Sequence, residues 1–152
     1  MTTIIKSIEI NAPRDVIRKY YAHPINTPKW SHIITVWEPE ASWPNTGSTA
    51  KMGVKSGGLN MVGVATTIAY DEETMAHHFR HEPDNQMMAP SDVWFTFDEN
   101  DGKTVVTEKL DYTIPGSYLG KALDKLFVER QTAKDTEQQL ANLKSLAEAD
   151  PG

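Results

Sequence analysis

The last fifth of the chain decides the fold: residues 117–150 read SYLGKALDKLFVERQTAKDTEQQLANLKSLAEAD. At about 100° per residue, apolar side chains recur on one broad stripe of a helix. The stripe consists of Leu119, Leu123, Leu126, Phe127, Ala133, Leu140 and Ala141. This pattern predicts one long amphipathic helix from Ser117 to about Asp150. Arg130 and Glu137 fall inside the stripe, so we expect two charges on the helix face that packs against the rest of the protein.

The segments before this helix have the alternating pattern of β-strands. Residues 4–10 form a first strand, and Asn11-Ala12-Pro13 starts a short helix that His23-Pro24 ends. Pro24 to Trp30 is short enough for one more helical turn. Six further strands are predicted near residues 32–38, 49–55, 59–70, 75–81, 92–97 and 104–114. The predicted class is α+β, with an antiparallel sheet of about seven strands around the long helix.

Two predicted hairpins determine which side chains face inward. A two-residue turn at Asp101-Gly102 places Phe97 opposite Val106, Phe95 opposite Glu108 and Val93 opposite Leu110. A turn at Glu72-Glu73 places Tyr70 opposite Met75, Ile68 opposite His77 and Val64 opposite His81. Directly opposed residues share a face of the sheet. The predicted inward polar set is therefore Tyr70, His77, His81, Glu108 and Tyr112.

Composition narrows the class of protein. The 152 residues suit one domain, which we place at residues 1–150. The net charge of −6 argues against nucleic acid and anionic membrane partners, which favour basic patches. The absence of cysteine excludes disulfides and thiolate chemistry. No signal peptide or membrane-length apolar run is evident, so we expect a cytoplasmic protein, a monomer or a homodimer.

The His77-His78-Phe79-Arg80-His81 segment resembles a metal-binding cluster only if it is helical. On a strand, His77 and His81 lie roughly 13 Å apart, at ~3.3 Å per residue. A zinc ion needs both nitrogens at about 2 Å, so the strand interpretation disfavours a shared metal. We expect no metal and no cofactor. The alternative for each histidine is a core or rim residue whose polar atoms have ordinary partners.

Glu108 is the sharpest candidate for chemistry. A carboxylate on an apolar strand face is costly unless it is paired or wetted, and burial would raise its pKa toward that of a general acid or base. We therefore name Glu108, His77 and Arg130 as candidate catalytic residues. The alternatives stay open: Arg130 pairs with Glu108 or with Glu137, and the tyrosines simply pack. The candidate ligand contacts are Trp30, Tyr70, Phe79, His81, Phe95, Tyr112, Leu123 and Phe127.

Four short motifs, in order, resemble the helix-grip superfamily of START domains, polyketide cyclase/dehydratases and the birch-pollen allergen. They are the strand and helix entry at residues 7–13 (SIEINAP), the PKWS segment at 28–31, the GKTVVT hairpin at 102–107 and the LANLKSLAE ending at 140–148. The resemblance implies an apolar cavity between a curved sheet and the long helix. Members bind lipids, isoprenoids, polyketides or plant hormones, and some are enzymes.

Two functions follow from the resemblance and the residues together. In the first, the cavity binds a small, largely hydrophobic or aromatic molecule. In the second, the protein is a cofactor-independent enzyme of the cyclase/dehydratase type, a lyase or isomerase in which Glu108 or His77 moves a proton of a carbonyl-bearing ligand. Arg130 or a tyrosine would then stabilise the oxyanion. A third hypothesis is a stress-responsive, partner-binding domain with a vestigial pocket.

Overall fold

The computed structural model describes residues 1–114 and 125–152. Two short helices follow the first strand, six strands come next, and a long helix ends the chain. In order the elements are β1 (Thr2–Ile10), α1 (Arg14–Tyr21), a 3-10 turn (Pro24–Asn26), α2 (Thr27–Trp30), β2 (Ile34–Pro39), β3 (Thr49–Ser56), β4 (Leu59–Tyr70), β5 (His77–Pro83), β6 (Ser91–Asn100), β7 (Lys103–Tyr112) and α3 (Lys125–Ala149). The predicted start of the long helix at Ser117, with Leu119 and Leu123, lies outside the described residues.

The seven strands form one antiparallel sheet in the order β1-β7-β6-β5-β4-β3-β2. Strands β2 to β7 are a meander, and β1 pairs with β7 over its whole length. The helix α3 packs against β1, β3, α1 and α2. The predicted α+β class, the seven strands, the two short helices and the long C-terminal helix are confirmed. Within the described residues, no helix has the length and apolar character needed to cross a membrane.

The predicted register of the β6–β7 hairpin is confirmed. Phe97 lies opposite Val106, Phe95 opposite Glu108 and Val93 opposite Leu110. The turn residues Asp101 and Gly102 both have positive φ, at 53° and 77°. Two positive φ angles are what a tight two-residue hairpin turn requires, and an Asp-Gly pair supplies them at low cost.

The predicted register of the β4–β5 hairpin was wrong. Tyr70 lies opposite His77, and Ala65 opposite His81, because residues 71–76 form a longer loop. A β-bulge between Thr67 and Ala69 also shifts the pairing. The face of β4 that is buried in the core is therefore the one with small side chains, while Val64 and Ile68 on the other face are 42% and 44% exposed.

Of the described members of the predicted stripe, only Leu140 is buried, so the predicted inward face of the long helix was largely wrong. The side chains of α3 that are buried are Val128, Thr132, Thr136, Gln139, Leu140, Leu143 and Ala147. Leu126 and Phe127 are about half exposed, at 48% and 50%. Arg130 and Glu137 are exposed, and Glu137 pairs with Lys6 of β1 at 2.8 Å. The buried face repeats every three or four residues, as predicted, but it is rotated away from the charged residues and carries threonine and glutamine toward the sheet.

Candidate functional site

A cavity lies between the inner face of the sheet and α3. Its volume is about 130 Å³. That is on the order of ten times the space that one water molecule needs. Aromatic and aliphatic side chains supply most of its wall, with contributions from every strand except β1. Representative apolar lining residues are Trp30, Trp37, Trp43, Phe79, Phe95 and Leu110.

The β3–β4 hairpin closes the cavity against α3. Ser56 Oγ donates a hydrogen bond of 2.7 Å to Asp135 Oδ2, and His32 Nε2 lies 3.3 Å from Asp135 Oδ1. Gly57 has φ +61°, and a Cβ there would lie 3.0 Å from Val128. Glycine at this position therefore allows both the turn and the close approach of the hairpin to the helix.

Glu108 is a buried carboxyl group without a hydrogen-bond partner on one oxygen. Its residue is 5% exposed, it lines the cavity, and Oε1 has no partner among the described residues. Burial raises the pKa of this carboxyl to about 8. Its neighbour across the strand pair is Lys6, but the Lys6 ammonium turns to Glu137. At neutral pH the carboxyl is therefore protonated and available to a molecule in the cavity.

His77 is a buried imidazole held through both ring nitrogens. Tyr21 Oη lies 2.7 Å from Nδ1, and Thr67 Oγ1 lies 2.9 Å from Nε2. Burial lowers the pKa of His77 to about 3, so the ring is neutral. A neutral imidazole donates from one nitrogen and accepts at the other, and both hydroxyls can serve either role. The two hydrogen bonds therefore fix the ring against the cavity wall.

His77, Phe95 and Glu108 form a row across three adjacent strands. His77 lies opposite Phe95 on β6, and Phe95 lies opposite Glu108 on β7. Two strand spacings of ~4.8 Å put the His77 and Glu108 backbones about 10 Å apart. Tyr21 of α1 covers this row: its ring centroid is 4.9 Å from that of Phe95, and burial together with nearby Glu108 raises the pKa of its hydroxyl.

Most of the candidate residues named from the sequence share this cavity. Those that line it are Trp30, His77, Phe79, His81, Phe95, Glu108 and Tyr112. The Tyr112 hydroxyl is buried and lacks a hydrogen-bond partner among the described residues. Tyr70 packs its ring against His77, with centroids 5.5 Å apart, without lining the cavity.

Two of the described candidates, Arg130 and Phe127, lie away from the cavity. Leu123 lies outside the described residues. Arg130 and Phe127 were wrongly placed, because the face of α3 that packs on the sheet is rotated from the predicted stripe. Arg130 lies instead beside β1 in a shallow surface depression and forms no ion pair with Glu108 in the part of the chain that the structure describes. Arg130 therefore has no route to stabilise an oxyanion in this cavity.

Tyr21 is a site residue that sequence reasoning missed. The adjacent Tyr20 pairs its hydroxyl with Asp150 at 2.6 Å, outside the cavity, whereas Tyr21 reaches His77. The sequence offers no signal that separates the two tyrosines, because Tyr21 lies four residues after Ile17 and Tyr20 lies four residues after Val16. Residues at i and i+4 share a helix face, and the structure shows that the face of Ile17 and Tyr21 is the buried one.

The histidines of β5 are engaged with protein groups. His81 Nε2 lies 2.8 Å from the carbonyl oxygen of Met52, so this nitrogen donates to it. Burial lowers the pKa of His81 as well. Among the described residues, no three His, Cys, Asp or Glu side chains gather at one point where a metal ion would bind.

Comparisons with known proteins agree with the fold and assign the chain to a family. The sequence model for the family described as polyketide cyclase / dehydrase and lipid transport matches residues 1–148. No protein with a curated description matches the sequence significantly. Protein TTHA0849 from Thermus thermophilus is similar in structure, with a TM-score of 0.80, 16% identity, and coverage of 99% of this chain and 100% of that one.

Two other solved structures show the same fold. The Zhui aromatase/cyclase from Streptomyces sp. R1128 has a TM-score of 0.74 at 13% identity, covering 97% of this chain and 93% of its own. Ara h 8.0201 has a TM-score of 0.71 at 13% identity, covering 98% of this chain and 99% of its own. At these identities the likeness concerns the fold alone.

Proposed function

Because the chain belongs to the polyketide cyclase / dehydrase and lipid transport family, we propose that it binds a small, largely hydrophobic or aromatic molecule between its sheet and α3. The observation that carries this proposal is a mostly apolar cavity whose wall contains a buried carboxyl group with an oxygen that lacks a partner. A buried polar atom without a partner costs free energy. A ligand that supplies the missing hydrogen bond recovers that cost and gains apolar burial besides.

The setting of this function follows from the charge and composition. We propose a cytoplasmic protein, monomeric or homodimeric, that acts without a cofactor and without nucleic acid. The net charge of −6 supports the last point, since nucleic-acid binding depends on basic surface.

Filling the cavity tests the binding proposal. Leu110→Trp and Val54→Phe each add bulk to a lining residue, whereas Ile68→Trp adds it on the exposed outer face of β4. We expect both cavity variants to lose a ligand that co-purifies with the wild type and is seen by native mass spectrometry, and Ile68→Trp to keep it.

A second readout covers the case in which no ligand survives purification. Fluorescence of Trp30, Trp37 and Trp43, which line the cavity, reports the entry of an added aromatic probe such as naphthalene. Saturable quenching that Leu110→Trp and Val54→Phe both abolish supports the proposal. Quenching that these variants leave unchanged, while Ile68→Trp alters it, contradicts the proposal.

The second candidate function is acid–base chemistry on a carbonyl-bearing ligand. The observation that favours it is the placement of protonated Glu108 and the Tyr21–His77 pair on the same cavity wall. Glu108 would donate its proton to the ligand carbonyl, while Tyr21 Oη takes a proton from the adjacent carbon and passes its own phenolic proton to His77 Nδ1. The reverse transfers, after exchange with solvent, would return a solvent-derived proton to that carbon. A positioned acid or base contributes about 10²–10⁴-fold to a rate.

Hydrogen–deuterium exchange next to the carbonyl of benzylacetone, followed by NMR in D₂O, measures this step without knowledge of the natural substrate. We expect catalysed exchange that Glu108→Gln and Tyr21→Phe each reduce about 100-fold or more. Glu38→Gln is the matched control, because it removes an exposed carboxylate that lies away from the cavity. Exchange at the uncatalysed rate in the wild type would exclude this function for simple ketones and leave the binding proposal standing.

A further inference from the structure

The described part of the cavity wall contains acidic side chains but no basic lysine or arginine. Among the described lining residues there are two carboxyl groups, Glu108 and Asp135, and no lysine or arginine. Asp135 accepts a hydrogen bond from Ser56 Oγ and lies 3.3 Å from His32 Nε2, so its two oxygens already have partners at the hairpin. Glu108 has no ion pair with any described residue, and it is buried, at 5% exposure. The wall therefore lacks a positive partner for its buried carboxyl.

Among the described groups around Glu108, none supplies this partner. Several elements near the carboxyl contribute a charged or titratable side chain that could affect its ionisation. They are Lys6 of β1, Tyr21 of α1, His77 of β5, and Asp135 and Glu137 of α3. Lys6 is committed to Glu137 at 2.8 Å. His77 is neutral and is bonded to two hydroxyls. Tyr21 keeps its proton because burial and nearby Glu108 raise its pKa.

Aromatic rings that pack against one another form the part of the cavity wall next to the carboxyl. The ring of Tyr21 lies 5.6 Å from that of Trp30 and 4.9 Å from that of Phe95, and Trp30 lies 5.9 Å from Phe95. Rings of this kind attract a cation through their negative faces, and the attraction grows when the cation is desolvated. A carboxyl group beside an aromatic wall is the combination that selects a positively charged head on an apolar molecule.

We infer that the cavity ligand carries a basic amine, which pairs with Glu108 while its apolar or aromatic body fills the cavity beside the packed rings of Tyr21, Trp30 and Phe95. This inference rests on the proposed binding function and names the ligand class. On binding, the ammonium group keeps its proton and the Glu108 carboxyl releases its own to solvent. The pair is then a carboxylate and an ammonium in hydrogen-bond contact, which gives the unpartnered oxygen of Glu108 a donor.

Four probes of similar size separate amines from other heads: phenethylamine, phenethyl alcohol, benzylacetone and hydrocinnamate. Binding is measured by titration calorimetry and by fluorescence of the cavity tryptophans near pH 7.5. We expect phenethylamine to bind about ten-fold or more tightly than the alcohol or the ketone. Hydrocinnamate should bind most weakly, because its buried charge would find no lysine or arginine among the described lining residues. Glu108→Gln should remove the preference for the amine, while Glu38→Gln, which removes an exposed carboxylate away from the cavity, should keep it.

The pH dependence gives an independent readout that a change of shape alone does not produce. Since Glu108 has a pKa of about 8 in the empty protein, pairing with an ammonium releases one proton below that pH. Amine affinity should rise about ten-fold per pH unit between about pH 6 and pH 8. The alcohol and the ketone hydrogen-bond to the protonated carboxyl, so their affinity should stay level over that range and fall above it.

The outcomes separate this inference from the proposed function. If the alcohol or the ketone binds as tightly as the amine, or if Glu108→Gln keeps the amine preference, the amine inference is wrong and cavity binding stands; a ketone preference would favour the acid–base function. Amine affinity that does not rise with pH also overturns the inference. If none of the four probes binds, the inference and the binding proposal for small aromatic molecules both fail.

Discussion

Replacing Glu108 by glutamine should change how stability depends on pH. The folded-state pKa of this carboxyl is raised from its ordinary 4.5 to about 8 by burial, and the unfolded chain returns it to the ordinary value. Between these values the folded protein holds a proton that the unfolded chain has lost, so the free energy of unfolding falls as pH rises. Glutamine has the same shape and does not titrate, so this pH-dependent term is absent in the variant.

The size of the effect follows from the difference between the two pKa values. At about 1.36 kcal/mol per pH unit, moving from 4.5 to about 8 corresponds to about 5 kcal/mol, reduced by any water that enters the cavity. We therefore expect Glu108→Gln to gain several kcal/mol relative to the wild type between about pH 4.5 and about pH 8. If burying the glutamine amide lowers the stability of the variant, the loss is the same at every pH. It shifts the whole curve of unfolding free energy against pH without changing its slope.

Urea unfolding followed by tryptophan fluorescence measures this difference at half-unit steps of pH. Subtracting the variant from the wild type removes contributions that both proteins share, including that of His77. Glu38→Gln serves as the control, because its carboxylate is exposed and lies away from the cavity. A flat difference curve for Glu108→Gln would refute the reasoning and show that Glu108 is ionised in the folded protein, through water or through a Lys6 that leaves Glu137.

Two further predictions concern His77 and the β3–β4 hairpin. Burial lowers the pKa of His77 to about 3, so the stability that the neutral ring contributes is complete above about pH 6.5 and is lost as pH falls toward 3. In urea unfolding, His77→Phe should not show this loss of stability in acid. If the variant loses as much stability in acid as the wild type, His77 is not the group responsible. Gly57→Ala should lower the free energy of unfolding by about 1–2 kcal/mol because of its positive φ, and by more because the new Cβ contacts Val128. This loss should exceed that of Gly102→Ala, whose added Cβ meets nothing within 4 Å. Equal losses of unfolding free energy in the two alanine variants would show that the hairpin does not pack closely against α3.

Local sequence signals predicted the elements and one register correctly. The Asp101-Gly102 pair demands a tight turn, and a tight turn determines every pair that follows it, so Phe95 and Glu108 were placed opposite each other without a structure. The longer loop before His77 does not determine the register of the strands that it connects. A single β-bulge after Thr67 then shifted the pairing of β4, which pattern counting has no means to detect.

The helix shows a second limit of pattern counting. The buried face of α3 carries Thr132, Thr136 and Gln139 because it borders a partly polar cavity. The most apolar stripe of the helix is therefore a neighbouring face. Because Arg130 lies on that face, the apolar pattern wrongly predicted that it points inward. Where a helix lines a cavity instead of a dry core, hydrophobicity alone does not identify its inward side.

What the sequence by itself determined is the order of elements, the α+β class, the β6–β7 pairing and the inward direction of Glu108 and His77. These depend on contacts between near neighbours in the chain, which turn residues and strand alternation control directly. The tertiary structure alone decided that Tyr21 meets His77, that Lys6 turns to Glu137 and that Glu108 is left without a cation. Those contacts join residues far apart in the chain, and they depend on the rotation of α3 and the placement of α1, which no local pattern determines.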